Sequence, residues 1–244
     1  MFNNALEHSG SSLIHVEMEK TAASVEISIC DNGIGIFRKI QAAADLLDER
    51  HAVLELAKGK FTTDPVNHSG KGIFFSSRMF DDFAISSSGV HFFHGFNGKE
   101  DRTGQSGTAA GGTTVRMKLG NHTFRTTKEI FDKFSVDEDY GFTKTIVPVK
   151  LAEYGDDNLL SRSQARRLLA RIERFKMVVF DFAGVASVGQ AFADEVFRVF
   201  FKRHSDIEIT SGNTVQEVKR MILRALLHEA AAPDQPGKES SQDN

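Results

Sequence analysis

The stretch DNGIGI at residues 31–36 decides the fold of the first half of this 244-residue chain. Alternating apolar residues over 25–29 predict a β-strand that ends at Asp31, and apolar residues at helical spacing predict a helix directly after the stretch. Gly33 and Gly35 allow the backbone of this turn to approach a ligand closely. The carboxylate of Asp31 either closes the turn, as Asp commonly does, or accepts a hydrogen bond from an exocyclic amine such as that of adenine.

A second glycine pair, Gly70 and Gly72, precedes a predicted helix that begins at Ile73. Free N–H groups at a helix N-terminus bind phosphate. The segment that leads to this pair, residues 59–71, is rich in turn-forming residues and predicts a mobile loop. Neither pair completes a familiar motif: Gly72 stands where a P-loop needs Ser or Thr, and Arg38 stands where a dinucleotide fingerprint needs a third glycine.

Two further motifs complete the pattern of the first half. A predicted helix over residues 2–8 carries Asn4, whose side-chain oxygen suits Mg²⁺, with Asn3 as a competitor for that role. A predicted strand begins after Gly112. In sequence order, NNALEH (3–8), DNGIG (31–35), GKGI (70–73) and GTTV (112–115) resemble the motifs of the GHKL superfamily of ATP-binding domains. That superfamily includes sensor histidine kinases, the DNA-gyrase ATPase, Hsp90, MutL and the anti-sigma-factor kinases.

The resemblance implies a GHKL (Bergerat) α/β sandwich over residues 1–120, with one face of a mixed sheet covered by helices. It also implies ATP or ADP and Mg²⁺ as ligands, and a lid over residues 37–71. The implied contacts are Asp31 to the adenine amine, Gly33 and Gly35 along the purine, Gly70, Lys71 and Gly72 at the phosphates, Thr113 beside Asp31, and Asn4 at Mg²⁺. Lys58 and Lys60 compete with Lys71 as phosphate contacts or as ordinary solvated charges.

Hydrolytic branches of this superfamily use a glutamate four residues before the magnesium-binding Asn. Counted back from Asn4, that position lies just before Met1. We therefore expect Met1 to be an internal methionine of a longer protein, with a genuine short nucleotide-binding protein as the alternative. The chain as given is expected to hydrolyse ATP poorly.

The second half alternates strands and helices, which indicates an α/β layer and gives an α+β or α/β fold class overall. The segments VVFDFAGV (178–185) and GQAFADE (189–195) resemble the STAS-like relatives of anti-sigma-factor antagonists. Gln190 or Ala191 stands where those antagonists carry a phosphorylatable serine, and Ser187 lies in the loop before it. The resemblance therefore implies a protein-binding domain without that phosphoswitch. The predicted division is 1–120, a STAS-like domain over 121–228, and a disordered tail over 229–244.

Composition excludes several function classes. The apolar fraction of 40% and the charged fraction of 26% are those of a globular protein, and the formal net charge of −3 offers no basic surface excess for nucleic acid. There is no run of about 18 apolar residues and no signal peptide, so neither a membrane span nor export is expected. The single cysteine, Cys30, fits a reducing compartment and is expected to be a buried thiol. These features predict a cytoplasmic bacterial protein.

Three functions are compatible with the sequence. The favoured one is an ATP·Mg²⁺-binding signalling protein in which the nucleotide orders the lid and controls how the STAS-like half meets a regulatory protein partner. The second is an active ATPase or an anti-sigma-type serine/threonine kinase. The third is an interaction protein whose pocket has decayed, which Asn4, Asp31 and the intact glycine pairs argue against. His8 is expected to pack at a helix end, and His91 and His94 to be structural.

Overall fold

The computed structural model describes residues 1–64, 66, 68–96, 101–105, 111–136, 141–153 and 158–230. Its elements follow the chain in this order: α1 (Phe2–His8), β1 (Ile14–Lys20), β2 (Ser24–Asp31), α2 (Ile36–Ala44), α3 (His51–Lys58), α4 (Gly72–Met79), β3 (Asp82–Ser87), β4 (Val90–Gly95), β5 (Arg102–Gln105), β6 (Thr113–Gly120), α5 (Thr127–Lys133), β7 (Lys144–Pro148), α6 (Arg162–Leu169), β8 (Met177–Asp181), α7 (Gln190–Asp194), α8 (Phe201–Arg203), β9 (Glu208–Gly212) and α9 (Gln216–Ala230). A π-helical segment, Glu195–Phe200, joins α7 to α8.

The first half is built on a six-stranded sheet in the order β1-β2-β6-β3-β4-β5. All of its described pairings are antiparallel, which differs from the mixed sheet that the resemblance implies. Six glycines and few apolar residues over 95–112 predict a flexible loop, but β5 lies in this segment, part of which falls outside the described residues. The four residues of β5 are all exposed and carry no apolar alternation, so no strand pattern is visible there in the sequence.

Helices α1 and α4 cover one face of this sheet. Ile29, Ile85, Phe92 and Val115 are buried on that side. Cys30 points to the opposite face, where it is exposed and accepts a hydrogen bond from Thr114 Oγ1 at 3.3 Å. The expectation of a buried thiol was therefore wrong, because neighbouring residues of a strand face opposite sides of the sheet.

The second half contains a three-stranded parallel sheet in the order β7-β8-β9. The apolar run over residues 177–182 predicts a strand that is buried on both faces. In β8, Val178 and Phe180 are fully buried, whereas Met177 and Val179 on the other face are half-buried. Ser161 caps α6 through a reciprocal capping box with Gln164. The sequence predicts a helix that is capped by Ser161 or Ser163 and runs to about Arg174, whereas α6 ends at Leu169. Helix α9 continues to Ala230, two residues into the predicted tail; residues 231–244 lie outside the described part of the chain.

Aromatic packing joins the two halves across the predicted boundary at residue 120. Helix α5 packs on α4 through the stacked rings of Phe75 and Phe131, whose centroids are 4.1 Å apart. The Phe142 ring lies 4.5 Å from that of Phe74. One hydrophobic core therefore runs through both halves, and many of the chain's 21 phenylalanines serve it. Among the described residues, no helix is both long and apolar enough to cross a membrane.

Candidate functional site

One cavity brings together residues from all four sequence motifs of the first half. Its volume is about 210 Å³, and it lies between α1, α2, the loop 59–71 and the N-terminus of α4. The predicted site residues that line it are Asn4, Asp31, Gly35, Gly70, Lys71, Gly72 and Thr113. Apolar side chains form much of the remaining wall, among them Ile29, Ile36, Ile40, Leu56, Phe61, Phe74 and Val115.

Asp31 is buried in this cavity with one carboxylate oxygen already engaged. Its Oδ1 accepts hydrogen bonds from the backbone N–H groups of Gly33 (2.9 Å) and Thr113 (3.3 Å). Its Oδ2 has no hydrogen-bond partner within the part of the chain that the structure describes. A carboxylate held in this way is fixed in orientation and keeps one strong acceptor for a ligand.

Thr113 lies opposite Asp31 in the β2–β6 register, as the resemblance implies. Its Oγ1 accepts a hydrogen bond from the Ile36 N–H at 3.0 Å, so the hydroxyl proton is left to donate elsewhere. Gly112 precedes it with a φ of 91°, and a Cβ at that position would lie 1.9 Å from the Asp31 carbonyl oxygen. The strand can approach Asp31 this closely only because residue 112 is glycine.

The two glycines after Asp31 have different roles. Gly35 lines the cavity and begins α2. Gly33 is not among the lining residues; it packs against α1, where an added Cβ would lie 2.2 Å from the Ser9 carbonyl oxygen. The structure therefore does not place Gly33 at the cavity, where its purine contact was predicted. The lack of a side chain at Gly33 instead allows α1 to pack on the turn.

Helix α1 presents Asn4 to the cavity and leaves Asn3 exposed. This choice between the two neighbours follows from their positions, because adjacent residues of a helix point about 100° apart. His8 is one turn further along and also lines the cavity. Burial and the nearby Lys39 ammonium lower the pKa of His8 from its ordinary value, so the imidazole is mainly neutral at pH 7.

The second glycine pair, Gly70 and Gly72, lies where the loop 59–71 meets α4. Gly70 has a φ of 66° and packs on the backbone of Lys60 and Phe61. Gly72 has open space around its Cα, and α4 begins there without a side-chain cap. The first N–H groups of α4 therefore remain available to a ligand.

A buried arginine fixes the position of α4. The Arg78 guanidinium donates to the carbonyl oxygens of Phe74 and Ala57, both at 3.2 Å, and so ties α4 to α3. Burial lowers the pKa of Arg78 to about 10, which leaves it charged at neutral pH.

The lysines are distributed differently from the sequence expectation. Lys71 lines the cavity, and so does Lys39, which the sequence analysis did not single out. Lys39 Nζ donates to the His8 carbonyl oxygen at 2.8 Å. Lys58 is fully buried, so it is not a solvated charge, and the half-buried Lys60 binds the backbone of Arg174.

In the second half, β8 ends at Asp181, whose Oδ1 accepts from the Ala183 N–H at 3.0 Å and from Asn213 Nδ2 at 2.8 Å. Helix α7 begins with the exposed Gln190, and Ser187 lies in the loop before it. This strand, turn and helix arrangement is the one on which the sequence resemblance of the second half rests. Residues 164–219 match the family model of the STAS-like domain of unknown function (DUF4325).

The matched segment covers part of the predicted range 121–228 and includes β8, α7 and β9. We call it the STAS-like domain below. No curated protein matches the chain. The comparison bears on the second half alone, so ATP binding by the first half stays a prediction.

The STAS-like domain holds the loop of the cavity at its base. Lys58, the last residue of α3, donates to the carbonyl oxygens of Arg167 and Ala170, both at 2.9 Å. Two residues later, Lys60 donates to the Arg174 carbonyl oxygen, and Arg174 Nη1 returns a hydrogen bond to the Lys60 carbonyl oxygen at 3.1 Å. The loop 59–71 therefore starts on the STAS-like domain and ends at the cavity.

Proposed function

We propose that the first half binds ATP or ADP with Mg²⁺, and that nucleotide binding controls how the STAS-like domain meets a protein partner. The observation that carries the proposal is that four short motifs, spread over more than a hundred residues of sequence, come together at one cavity. Short motifs that resemble those of a family can occur in a sequence without meeting in the folded chain. Their meeting at one cavity therefore adds support that the sequence resemblance alone does not provide. The finer fold assignment, a GHKL sandwich, is part of the same proposal.

The adenine end of the ligand is assigned to Asp31 and Thr113. The exocyclic amine of adenine donates to Asp31 Oδ2, the oxygen with no partner among the described residues. The Thr113 hydroxyl, whose oxygen already accepts from the Ile36 N–H, donates to a ring nitrogen. Apolar side chains such as Ile29, Ile40 and Val115 suit the faces of a purine.

The phosphate end is assigned to the opposite side of the cavity. The uncapped N-terminus of α4 at Gly72 and the Lys71 ammonium suit negative charge. Asn4 offers an amide oxygen of the kind that Mg²⁺ prefers when it accompanies phosphates. The residues present therefore fit both the nucleotide and the ion.

Coupling to the STAS-like domain is assigned to the base of the loop. Because Lys60 is hydrogen-bonded to Arg174, a displacement of the loop pulls on the STAS-like domain directly. Helix α9 carries three leucines on one exposed face, with Leu223 50%, Leu226 41% and Leu227 68% exposed. An exposed apolar stripe of this kind is typical of a protein-binding surface.

The alternative of an ATPase or a serine/threonine kinase is less well supported by the cavity. Asp31 is the sole carboxylate among the described residues that line it, and its assigned role is to bind adenine rather than to activate a nucleophile. Nucleotide turnover measured beside nucleotide binding separates the two functions. Turnover well above that of buffer alone, lost in Asn4→Ala, would favour the enzyme.

We expect nucleotide to change the loop 59–71. The cavity of about 210 Å³ is smaller than the roughly 300–1,000 Å³ of typical ligand sites, so the loop must move outward to admit ATP and then close on it. Hydrogen exchange of peptides covering 59–64 and 68–71, measured with and without Mg·ADP, is expected to slow on binding. Peptides covering residues 14–24 of the β1–β2 hairpin serve as the internal control. Exchange of 59–64 and 68–71 that saturating nucleotide leaves unchanged would contradict the role of the loop 59–71 as a lid.

A further inference from the structure

A histidine–glutamate cluster lies at the end of α1, beside the cavity. It consists of Glu7 and His8, the last two residues of α1, and His68 from the loop 59–71. His68 Nε2 is 3.1 Å from Glu7 Oε2, and the rings of His8 and His68 meet edge to face with centroids 4.8 Å apart. One ligand atom from each of the three side chains lies within 4.8 Å of the other two.

The donor set of this cluster is that of a transition-metal site. Two imidazole nitrogens with one carboxylate oxygen suit Zn²⁺, Co²⁺ and Ni²⁺, whereas Mg²⁺ and Ca²⁺ prefer oxygen ligands alone. Zinc bonds of about 2.0–2.2 Å place tetrahedral ligands roughly 3.3 Å apart. The Glu7–His68 distance is already close to that spacing, and the side chains of all three are half-buried or exposed and can rotate inward.

The charges around the cluster favour a cation. Asp64 lines the same surface cavity as the three residues, and the His68 N–H donates to the Asp64 carbonyl oxygen at 3.0 Å, which keeps the two residues adjacent. Lys39 is the opposing charge, and its ammonium is directed to the His8 carbonyl oxygen. Two carboxylates against one ammonium give the lining of this surface cavity a negative balance of charge.

A simple ion pair between Glu7 and His68 would explain part of this geometry. Exposed pairs of that kind contribute little to stability, and the pair has no need of a second imidazole. His8 supplies that second imidazole from the same helical turn as Glu7. The cluster thus joins two elements, α1 and the loop 59–71, through Glu7, His8 and His68.

We propose that Glu7, His8 and His68 bind a divalent transition metal of the zinc class and thereby tie the loop 59–71 to α1. The site needs no nucleotide, and it is separate from Asn4, the residue assigned to Mg²⁺. Metal binding holds His68 against α1 at the edge of the cavity. Metal and nucleotide therefore act on the same loop through different residues.

The test is a titration of the full chain with Co²⁺ and with Zn²⁺ in the absence of nucleotide. We expect one Co²⁺ per chain, a visible absorption band of the bound ion, and its displacement by Zn²⁺. His8→Ala, His68→Ala and Glu7→Gln are each expected to weaken binding at least about tenfold. The matched controls His15→Ala and His122→Ala remove exposed histidines outside the cluster and are expected to bind as the wild type does.

Metal binding that His68→Ala leaves unchanged, or that falls equally in the control variants, would overturn the proposal. Thermal unfolding without metal checks that each variant is folded. Hydrogen exchange of residues 68–71 is expected to slow with Zn²⁺ in the wild type and to stay unchanged in His68→Ala. A chain that binds ATP but neither metal would refute this inference and leave the proposed function standing; the reverse result would refute nucleotide binding alone.

Discussion

Asp31→Asn is expected to weaken ATP and ADP binding by at least about 30-fold, or roughly 2 kcal/mol. The substitution retains an oxygen that can accept from the Gly33 and Thr113 N–H groups, so the turn is kept. It replaces Oδ2 with an amide NH₂, which meets the adenine amine donor to donor. Calorimetric titration of the folded chain with Mg·ADP measures the loss.

The matched control is Asp206→Asn, which makes the same chemical change at an exposed position in the second half. It is expected to bind nucleotide with wild-type affinity. Asp31→Ala serves as a second variant, since it removes both oxygens and is expected to lower the melting temperature as well. If Asp31→Asn melted with the wild type and bound Mg·ADP equally well, Asp31 would have no part in nucleotide recognition. A wild type without nucleotide affinity would refute the proposed function itself.

Local patterns predicted most of the elements around the cavity. The sequence predicted that β2 ends at Asp31 and that β6 begins after Gly112, and the structure places both of these strand ends there. These segments have strong alternation or helical spacing, and their ends carry glycine or aspartate. Strand β5 was missed because its pairing with β4 places no apolar residue in a core. The π-helical segment after α7 was also missed. Its backbone hydrogen bonds differ from those of an α-helix, but its apolar residues keep a spacing close to the helical one.

The sequence predicted only those cavity residues that belong to one of the four motifs. Asn4, Asp31 and Thr113 follow from sequence because each stands at a fixed offset from a glycine or an element end. His68 and Lys39 do not, because each reaches its partners through tertiary packing of a loop or helix on α1. A surface lysine and a loop histidine carry no local signal that distinguishes them from solvated side chains.

The burial of Lys58 was likewise not predictable from the local sequence. In sequence it ends an amphipathic helix beside a glycine, where a lysine normally faces water. In the structure α3 is enclosed by both halves, and every residue from Ala52 to Lys58 is buried. Packing of the second half, more than a hundred residues away in sequence, converts a typical surface lysine into a buried one.

The buried lysine binds four partners at the junction. Its Nζ donates to Glu55 Oε1 at 2.8 Å and to two carbonyl oxygens of the STAS-like domain, and its own carbonyl oxygen accepts from Thr145 Oγ1 at 2.7 Å. The side chains of Lys58 and Glu55 are 2% and 4% exposed. Burial lowers the pKa of the Lys58 ammonium, and the Glu55 carboxylate acts in the opposite direction.

Lys58→Met is therefore expected to destabilise the chain by about 3–5 kcal/mol, because the buried Glu55 carboxylate then keeps, among the described residues, the more distant Arg171 at 3.4 Å as its one cationic partner. Urea unfolding followed by circular dichroism measures the loss. Lys118→Met, at an exposed position of β6, is the control and is expected to change the free energy of unfolding by less than about 0.5 kcal/mol. The double variant Glu55→Gln/Lys58→Met removes the uncompensated charge and is expected to recover part of the stability. Equal stability of Lys58→Met and Lys118→Met would mean that the packing of the two halves does not depend on the Lys58–Glu55 ion pair. It would also remove the support for coupling through the base of the loop.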